Sequence, residues 1–414
     1  MSKQLKHSAN LIAAAIMSLT AVATDAAGAG KAKHYGAPVF DIDKRKKTKT
    51  ELTDWAAYSA YASTRYSGER NLNLDDNLND KSDKLSGYVG VAVRAEPAEG
   101  FVGFLHAEAE LTHRGTHKAT TTTADLHIKE ALVAYRLSAT STVSAGRLRI
   151  GDKQKWVADA AVDGVHLGYK ADGTLIELGA FTGTRDNDGL YALGHLARLA
   201  TSNAVGAFGV LEAQDGEKRA HLSGYWADKP SDDLSYSFNA GVVVGDGANN
   251  QPAGVGFDAR AIKKVGEHEW NPQLTVGIAA GSKGFAQTEL HSNKTYDGGQ
   301  TQFNRYGYVY QPELANMAVA TLGVGIRPSR MFSLDLAAHA YTQIQPMTTT
   351  PDARVRGATN GDAAFLGGEI SLVGAWRPTK KSKFEFGLSI FQAGPAYQNQ
   401  ETAKQAYARF SVYF

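Results

Sequence analysis

The side chains best suited to chemistry in this sequence are cations at alternate positions of extended segments. If Leu148 and Ile150 face lipid, Arg147 and Arg149 point together into water on the other side of one strand. A guanidinium binds a carboxylate or phosphate through two parallel hydrogen bonds and keeps its charge at physiological pH. By this alternation we expect one aqueous pathway to be lined by Arg94, Arg136, Arg147, Arg149, Lys170, Arg219, Arg260, Arg327 and Arg409.

Acidic side chains share the same predicted face, which leaves two interpretations open. They are Glu108, Glu110, Glu130, Glu177, Asp258, Asp335, Glu369 and Glu385. In one interpretation, the two signs form a salt-bridge lattice that braces a wall. In the other, the cations pair transiently with carboxylates or phosphates of a passing solute.

The sequence carries no motif that predicts an enzyme. It has no Gly-x-Ser-x-Gly, no His-Glu-x-x-His and no phosphate-binding loop, and its 12 His are scattered. Because Cys is 0, thiolate metal sites and Cys nucleophiles are excluded. We therefore predict no catalytic residues, no metal and no cofactor. A barrel hydrolase stays open as an alternative, because catalytic triads are defined by geometry and not by spacing.

The elements that must position these cations are long strands. Apolar and polar residues alternate with a period of two, for example in 101–113 and 233–244, between turns rich in Gly, Asn, Asp and Pro. The segments run to roughly 9–12 residues, as tilted membrane strands do, whereas soluble strands average about 5–6. Aromatic residues near their ends suit interfacial girdles, namely Tyr169, Phe181, Tyr225, Trp226, Phe332, Tyr341 and Trp376.

We predict an all-β fold, a transmembrane antiparallel barrel with short periplasmic turns and long extracellular loops. About eighteen strands are expected near 54–65, 86–94, 101–113, 126–137, 142–151, 162–170, 173–182, 189–199, 203–213, 217–227, 233–244, 254–264, 270–280, 317–327, 331–343, 363–376, 382–391 and 403–414. Segment 189–199 has helical leucine spacing, and sixteen strands are the alternative without it. Long loops are expected at 66–85, 114–125, 281–304, 344–362 and 392–402.

The N-terminus predicts export. Lys3 and Lys6 precede an apolar stretch that ends in Ala21-Val22-Ala23, so residues 1–23 are expected to be a cleaved signal peptide. Residues 24–53 are then a periplasmic lead-in and 54–414 the barrel. Without the signal, cationic and anionic side chains are equal in number, which gives no global attraction for nucleic acid. The terminal Phe414 resembles the signal read by bacterial barrel-assembly machinery.

Three stretches resemble the alginate export porin family. The first is Gly146-Arg147-Leu148-Arg149 with Trp156, Asp159 and Gly164-Val165. The second and most specific runs through Tyr306, Gly307, Pro312, Glu313, Leu314 and Asn316, with Leu322-Gly323-Val324-Gly325 after it. The third is Gly394-Pro395-Ala396-Tyr397. The resemblance spans roughly 85–414.

The resemblance implies a monomeric eighteen-stranded barrel in the outer membrane of a Gram-negative bacterium, passing a linear polyuronate through an Arg-rich constriction with loops gating both ends. Arg147, Arg149 and Arg305 would contact the solute, and Glu313 and Asn316 would fix a turn or loop. Leu148 and Tyr308 depart from the family pattern, and the chain is short. Uptake of a smaller uronate oligomer therefore stays open.

The predicted function is an outer-membrane channel for an anionic polysaccharide, alginate or a similar polyuronate, or its oligomers. Its expected partners are outer-membrane lipids and lipopolysaccharide, that polysaccharide, the assembly machinery and periplasmic export proteins. A general or small-anion porin is the first alternative. A barrel hydrolase or a non-conducting structural protein is the alternative of another class.

Overall fold

A computed structural model describes residues 37–45, 50–75, 80–184, 189–246, 251–266, 268–295, 300–349 and 353–414. The predicted signal segment 1–23 lies outside these ranges. No helix among the described residues is long and apolar enough to cross a membrane.

Eighteen antiparallel strands form one closed barrel. In chain order, β1 to β18 are Ala56–Arg70, Ser82–Ala95, Phe101–Thr116, Thr120–Arg136, Ser141–Gly151, Asp159–Ala171, Thr174–Gly183, Leu190–Leu199, Asn203–Gln214, Glu217–Asp228, Leu234–Gly245, Ala253–Lys264, Gln273–Gly281, Met317–Ser329, Phe332–Gln343, Phe365–Thr379, Ser382–Ala393 and Thr402–Tyr413. Each strand pairs with its neighbours in sequence, and β1 closes the ring against β18 from Tyr61↔Tyr413 to Arg70↔Lys404. Closure leaves no sheet edge along this seam, as a membrane barrel requires.

Three short elements lie outside the eighteen-strand wall. A 3-10 turn spans Ile42–Arg45, and the strand Thr50–Thr53 pairs with the start of β1. Within the connection between β13 and β14, Lys294–Thr295 pairs with Phe303–Asn304. We call the end of the barrel with the shorter connections, such as 172–173, the turn end, and the opposite end the loop end.

The wall has an apolar outer face and a mostly polar inner face, as the alternation predicts. On β10, Leu222 points outward and is 61% exposed, whereas Tyr225 points inward and is 9% exposed. Other exposed outer side chains include Leu105, Val205, Leu211, Val242, Val255, Ile278, Leu322, Ile370 and Leu388. An isolated barrel exposes this band because its partner is hydrocarbon.

The predicted strands are confirmed in number, and several boundaries shift. Segment 189–199 is a strand, Leu190–Leu199, in which every second leucine faces inward, so the sixteen-strand alternative is wrong. Most of the predicted loop 114–125 belongs to the β3–β4 hairpin, and the ends of 66–85 belong to β1 and β2. The hairpin tip is exposed on both faces, so its strands carry polar residues such as Thr on both sides. These segments therefore lack the apolar–polar alternation by which strands were predicted.

Among the predicted girdle aromatics, the structure separates two groups. Trp226 and Trp376 are exposed on the outer face, as the prediction requires. Phe181, Tyr225 and Tyr341 are buried inside the barrel, so their assignment to a lipid interface is wrong. A large ring near a strand end suits either environment, and only the register decides which one it meets.

The end of the β5–β6 hairpin leaves the wall and folds into the lumen. Pairing of β4 with β5 stops at Ala131↔Arg147, whereas β5 and β6 stay paired as far as Gly151↔Asp159. At the bend, Gly146 has a positive φ of 120° and faces Gly164, and a Cβ at either position would collide with the backbone of the neighbouring strand. Glycine at both positions therefore permits this sharp departure.

The hairpin tip packs across the lumen onto the far wall. Leu148 and Ile150 are 0% exposed and belong to one apolar cluster with Trp156. Trp156 stacks on Phe285, with ring centroids 5.9 Å apart. Burying each large apolar side chain contributes about 1.5–3 kcal/mol, which offsets the backbone pairing given up with β4.

The long connection between β13 and β14 folds inward beside the hairpin tip. Asp159 N–H donates to the carbonyl of Leu290 (2.6 Å), and the Gln287 amide donates to the carbonyl of Trp156 (3.2 Å). Two loops that enter from the loop end thus fill one side of the lumen with an apolar core. An open cavity of the lumen lies on the side of β1, β17 and β18.

Candidate substrate pathway

A pair of arginines marks the open side of the lumen. Arg65 on β1 lies directly opposite Arg409 on β18 in the register that closes the barrel. Both line a cavity of about 370 Å³, and neither has a carboxylate within ion-pair distance among the described residues. The carboxylate of Glu385, the register partner of Arg409, pairs instead with Lys383 (2.7 Å).

Cations from the two infolded loops approach the same space. Arg149 on the infolded hairpin is 53% exposed and pairs with Asp159 (2.9 Å). Lys155 at the hairpin tip contacts the same carboxylate. Asp159 itself is almost completely buried, so it holds both cations in place.

Lys294 lies close enough to the charges of Arg149, Arg65 and Lys155 to interact with them. Desolvation by the surrounding wall and loops lowers the pKa of its ammonium below the ordinary lysine value, although the residue itself is exposed. The neighbouring charges of Arg149, Arg65 and Lys155 lower the pKa further, while Asp159 opposes them. Lys294 also lines the cavity. The loops and the wall therefore bring several like charges to one place.

Polar and aromatic side chains complete the cavity lining. Arg354 enters from the β15–β16 connection and pairs with Glu69 (2.6 Å). The other lining residues include Tyr308 and Tyr407, together with the amides Gln302, Asn304, Gln311 and Gln405. Cations outnumber carboxylates around this cavity, so it favours an anion.

The orientation expected for β5 is wrong, although Arg149 does reach water. Leu148 and Ile150 face the apolar core inside the barrel and not lipid. The strand has left the wall, so its outer face, which carries Arg149, turns toward the remaining lumen. Alternation predicted which residues share a face, but it could not predict that the strand would fold inward.

Arg147 lies where β5 separates from β4, and its contacts stabilise the barrel wall. Its Nε and Nη2 donate to Asp163 (2.8 and 2.7 Å), and its Nη1 donates to the carbonyl of Ile128 (3.1 Å). Ile128 lies on the part of β4 that β5 no longer covers. Arg147 thus satisfies a backbone acceptor that the departing strand left behind, and it does not line the cavity.

At the turn end, Arg94 and Arg136 hold the segment before β1. Arg94 donates to the carbonyl of Ile42 (2.7 Å), and Arg136 pairs with Asp43 (2.8 Å). Ile42 and Asp43, which belong to the predicted periplasmic lead-in, are therefore anchored on the barrel wall.

The same segment is fastened inside the lumen by Glu177 on β7. The backbone N–H groups of Val39 and Phe40 donate to its two carboxylate oxygens (2.8 and 3.2 Å). His166 and His195 bind the same carboxylate at 3.0 and 2.7 Å. Glu177 is fully buried, and these partners supply the hydrogen bonds that a buried carboxylate needs.

The remaining predicted cations divide between bracing and exposed positions. Arg305 contacts Asp258 and donates to the carbonyl of Gln154 (3.0 Å), so it ties the long loop to the hairpin tip. Arg327 pairs with Asp335 (2.6 Å). Arg219 lies between Glu212 and Glu289, at 3.6 and 3.5 Å.

Arg260 and Lys170 complete the predicted set. Arg260 is buried in the wall, in a small void that His339 also lines. Lys170 is exposed at the turn end. Neither lines the cavity of Arg65 and Arg409.

The resemblance motif builds the infolded loop. Tyr306 donates its hydroxyl to Asp258 (2.9 Å), and Leu314 is fully buried. Gly307 has a φ of 97°, and a Cβ there would collide with the carboxylate of Glu369. Between these residues and Pro312, the N–H groups of Tyr308, Val309 and Tyr310 donate to the buried Glu369.

Asn316 is the last residue of this loop, directly before β14. Its side chain exchanges two hydrogen bonds with the backbone of Gln345 (2.8 and 3.0 Å), and its φ of 52° is one that asparagine tolerates. Glu313 lies three residues earlier in the same loop.

Sequence reasoning missed Arg65, Lys155, Lys294 and Arg354. Arg65 was the last residue of a predicted strand, and the other three lie in loops whose paths no periodicity predicts. Across the described residues, no group of His, Asp and Glu is arranged to hold a metal ion.

The comparisons with known proteins agree with this geometry. The family model described as alginate export matches residues 154–411, which is more than half of the chain. The chain belongs to the alginate export family. It is an outer-membrane β-barrel channel of a Gram-negative bacterium.

Solved structures of similar fold are porins of Pseudomonas aeruginosa. OccK11 (OpdR) has a TM-score of 0.59 at 13% identity, over 87% of this chain and 96% of that one. OccK5 (OpdH) has a TM-score of 0.59 at 10% identity, over 88% and 99%. OprD has a TM-score of 0.58 at 10% identity, over 92% and 99%. These likenesses concern the fold. No curated protein matches the chain.

Proposed function

We propose that this member of the alginate export family passes an anionic polysaccharide, alginate or a similar polyuronate, or its oligomers. The observation that carries the proposal is the Arg65–Arg409 pair, which has no carboxylate partner among the described residues and lies beside Lys294 and Arg149 in the open part of the lumen. An arginine used only for bracing has a carboxylate partner, as Arg147 and Arg327 do. Arginines held without one are available to carboxylates of a solute.

The arrangement suits transport better than tight binding. The cations come from β1, β18 and three different loops, so a chain that leaves one site meets the next within a short distance. Conduction requires sites that are attractive enough to enter and weak enough to leave. Partial neutralisation of Arg149 by Asp159 and of Arg354 by Glu69 lowers the affinity of these sites without removing the positive potential.

Conductance across a planar bilayer tests this function. We expect an anion-selective reversal potential in a salt gradient, and block of the current by polyuronate added to one side. Block by phosphate with no effect of polyuronate would favour a small-anion porin. A barrel that is folded but does not conduct would contradict the channel proposal and favour a structural role.

A further inference from the structure

An aromatic ring lies beside Arg65 and Arg409. Tyr407 on β18 points inward two residues before Arg409, and its register partner on β17 is Gly387. A Cβ at Gly387 would collide with the Tyr407 ring, so the ring lies flat against the wall in space that only glycine leaves free. Tyr407 also lines the cavity, so a part of its ring that Gly387 does not cover is open to the lumen.

Arg65 and Tyr308 extend this surface. The Arg65 guanidinium lies over the Tyr407 ring, with its Cζ 5.5 Å from the ring centroid. The Tyr308 ring comes from the infolded loop, with its centroid 5.9 Å from that of Tyr407 and an interplanar angle of 34°. The Tyr308 hydroxyl donates to the carbonyl of Gln302 (2.7 Å), which fixes the ring.

Amide side chains surround this group. Gln302, Asn304, Gln311 and Gln405 line the same cavity and come from both the loop and the wall. An amide both donates and accepts hydrogen bonds, so it matches hydroxyl groups, which also do both. A site for simple anions needs only the cations.

We propose that Arg65, Tyr407 and Tyr308 form a subsite for one uronate unit of the polysaccharide. Arg65 binds the carboxylate, the tyrosine rings stack on the apolar C–H face of the sugar ring, and the amides bind its hydroxyl groups. The negative face of an aromatic ring attracts polarised C–H groups as it attracts cations. The subsite rests on the proposed function and adds that the lumen recognises the sugar as well as its charge.

Conductance block by two probes of matched length and charge tests the subsite. One probe is a defined oligouronate, and the other is an oligoglutamate, which has carboxylates but no sugar ring. We expect the wild-type channel to be half-blocked at a lower concentration of the oligouronate. Equal block by both probes would support an anion channel and overturn the subsite, whereas no block by either would contradict the proposed function as well.

Two substitutions at one position separate stacking from support of Arg65. Tyr407→Phe keeps the ring, so we expect the half-blocking concentration of oligouronate to change less than about twofold. Tyr407→Leu keeps an apolar side chain without a π face, and we expect about a tenfold increase, the size of one good aromatic contact. Block by oligoglutamate should stay within about twofold in both variants.

If Tyr407→Leu weakened both probes equally, the ring would act only by holding Arg65, and the subsite would be wrong. Arg65→Gln supplies the complementary result, a loss of block by both probes. Heat-modifiable migration on a gel verifies that each variant is a folded barrel before it is measured.

Discussion

Arg65 and Arg409 lie directly opposite each other across the seam that closes the barrel. Like charges at directly opposed positions of an antiparallel pair destabilise it by roughly 0.2–1 kcal/mol. The described part of the chain offers neither arginine a carboxylate to relieve this repulsion. A repulsive pair at the closing seam is therefore a cost in stability that the proposed transport function explains.

Arg65→Gln tests two effects of the Arg65 charge, its cost in stability and its contribution to anion selectivity. We expect the unfolding temperature in detergent to rise or stay unchanged, because the repulsion is removed. Anion selectivity, measured as reversal potential in a salt gradient, should fall. Lys118→Gln at the exposed β3–β4 turn makes the same charge change far from the lumen and should leave the reversal potential unchanged. A strong fall in stability in Arg65→Gln would contradict this account of the seam.

Arg149→Glu tests whether the infolded hairpin contributes to selectivity. The side chain is half exposed and lies close to Lys294, so the reversed charge should reduce the positive potential in the lumen and shift the reversal potential toward cations. Lys118→Glu is the matched control. The same reversal potential in Arg149→Glu and wild type would exclude Arg149 as a selective element.

Glu369→Ala should loosen the infolded loop. The substitution removes the acceptor of three backbone N–H groups, from Tyr308 to Tyr310, and each buried donor left unpaired costs about 1–3 kcal/mol. We expect a lower unfolding temperature together with larger and noisier single-channel currents. Ser371→Ala removes one hydroxyl bonded to Glu369 and should have a much smaller effect. Currents identical to wild type would mean that the loop does not narrow the pore.

Lys294 should make anion selectivity sensitive to alkaline pH. Its lowered pKa means that it loses its charge below the ordinary lysine value of 10.5 as pH rises. Selectivity should fall over that range, and Lys294→Arg, which keeps its charge, should abolish the change. The charged form of Lys294 is disfavoured in the folded protein, so it lowers the free energy of unfolding by its full amount at pH values below the folded pKa. The free energy of unfolding should therefore rise as the pH passes from that pKa toward 10.5.

Glu177→Gln should release the segment around Val39. A neutral amide has one accepting oxygen and one NH2 group, so it cannot offer a separate acceptor to each of Val39 and Phe40 as the carboxylate does. The chain has no cysteine, so Val39→Cys introduces a single reporter. We expect this thiol to be protected in the parent and to react with a water-soluble reagent once Glu177→Gln is added. Thr53→Cys, at an exposed position, should react in both backgrounds. Continued protection of the thiol at position 39 would show that other contacts suffice to hold the segment.

The alternation of apolar and polar residues was sufficient to predict the barrel wall. Strict alternation identified eighteen strands, and the separation of apolar from polar faces was enough to place Arg409, Glu177 and Glu369 inside the barrel. This succeeds because strand side chains alternate with a period of two, so one face assignment fixes a whole strand. It failed at the β3–β4 hairpin, where both faces meet water and no alternation exists.

Which cations lie close together depends on long-range folding that local patterns do not contain. Leu148 and Ile150 are as apolar as any lipid-facing pair, but a glycine bend at Gly146 and Gly164 turns them onto an inner core. Lys294 and Arg354 reach the lumen on loops, whose course depends on distant acceptors such as Glu369 and not on local periodicity. Arg65 meets Arg409 because the first and last strands close the ring, a contact between the two ends of the barrel that no local pattern contains.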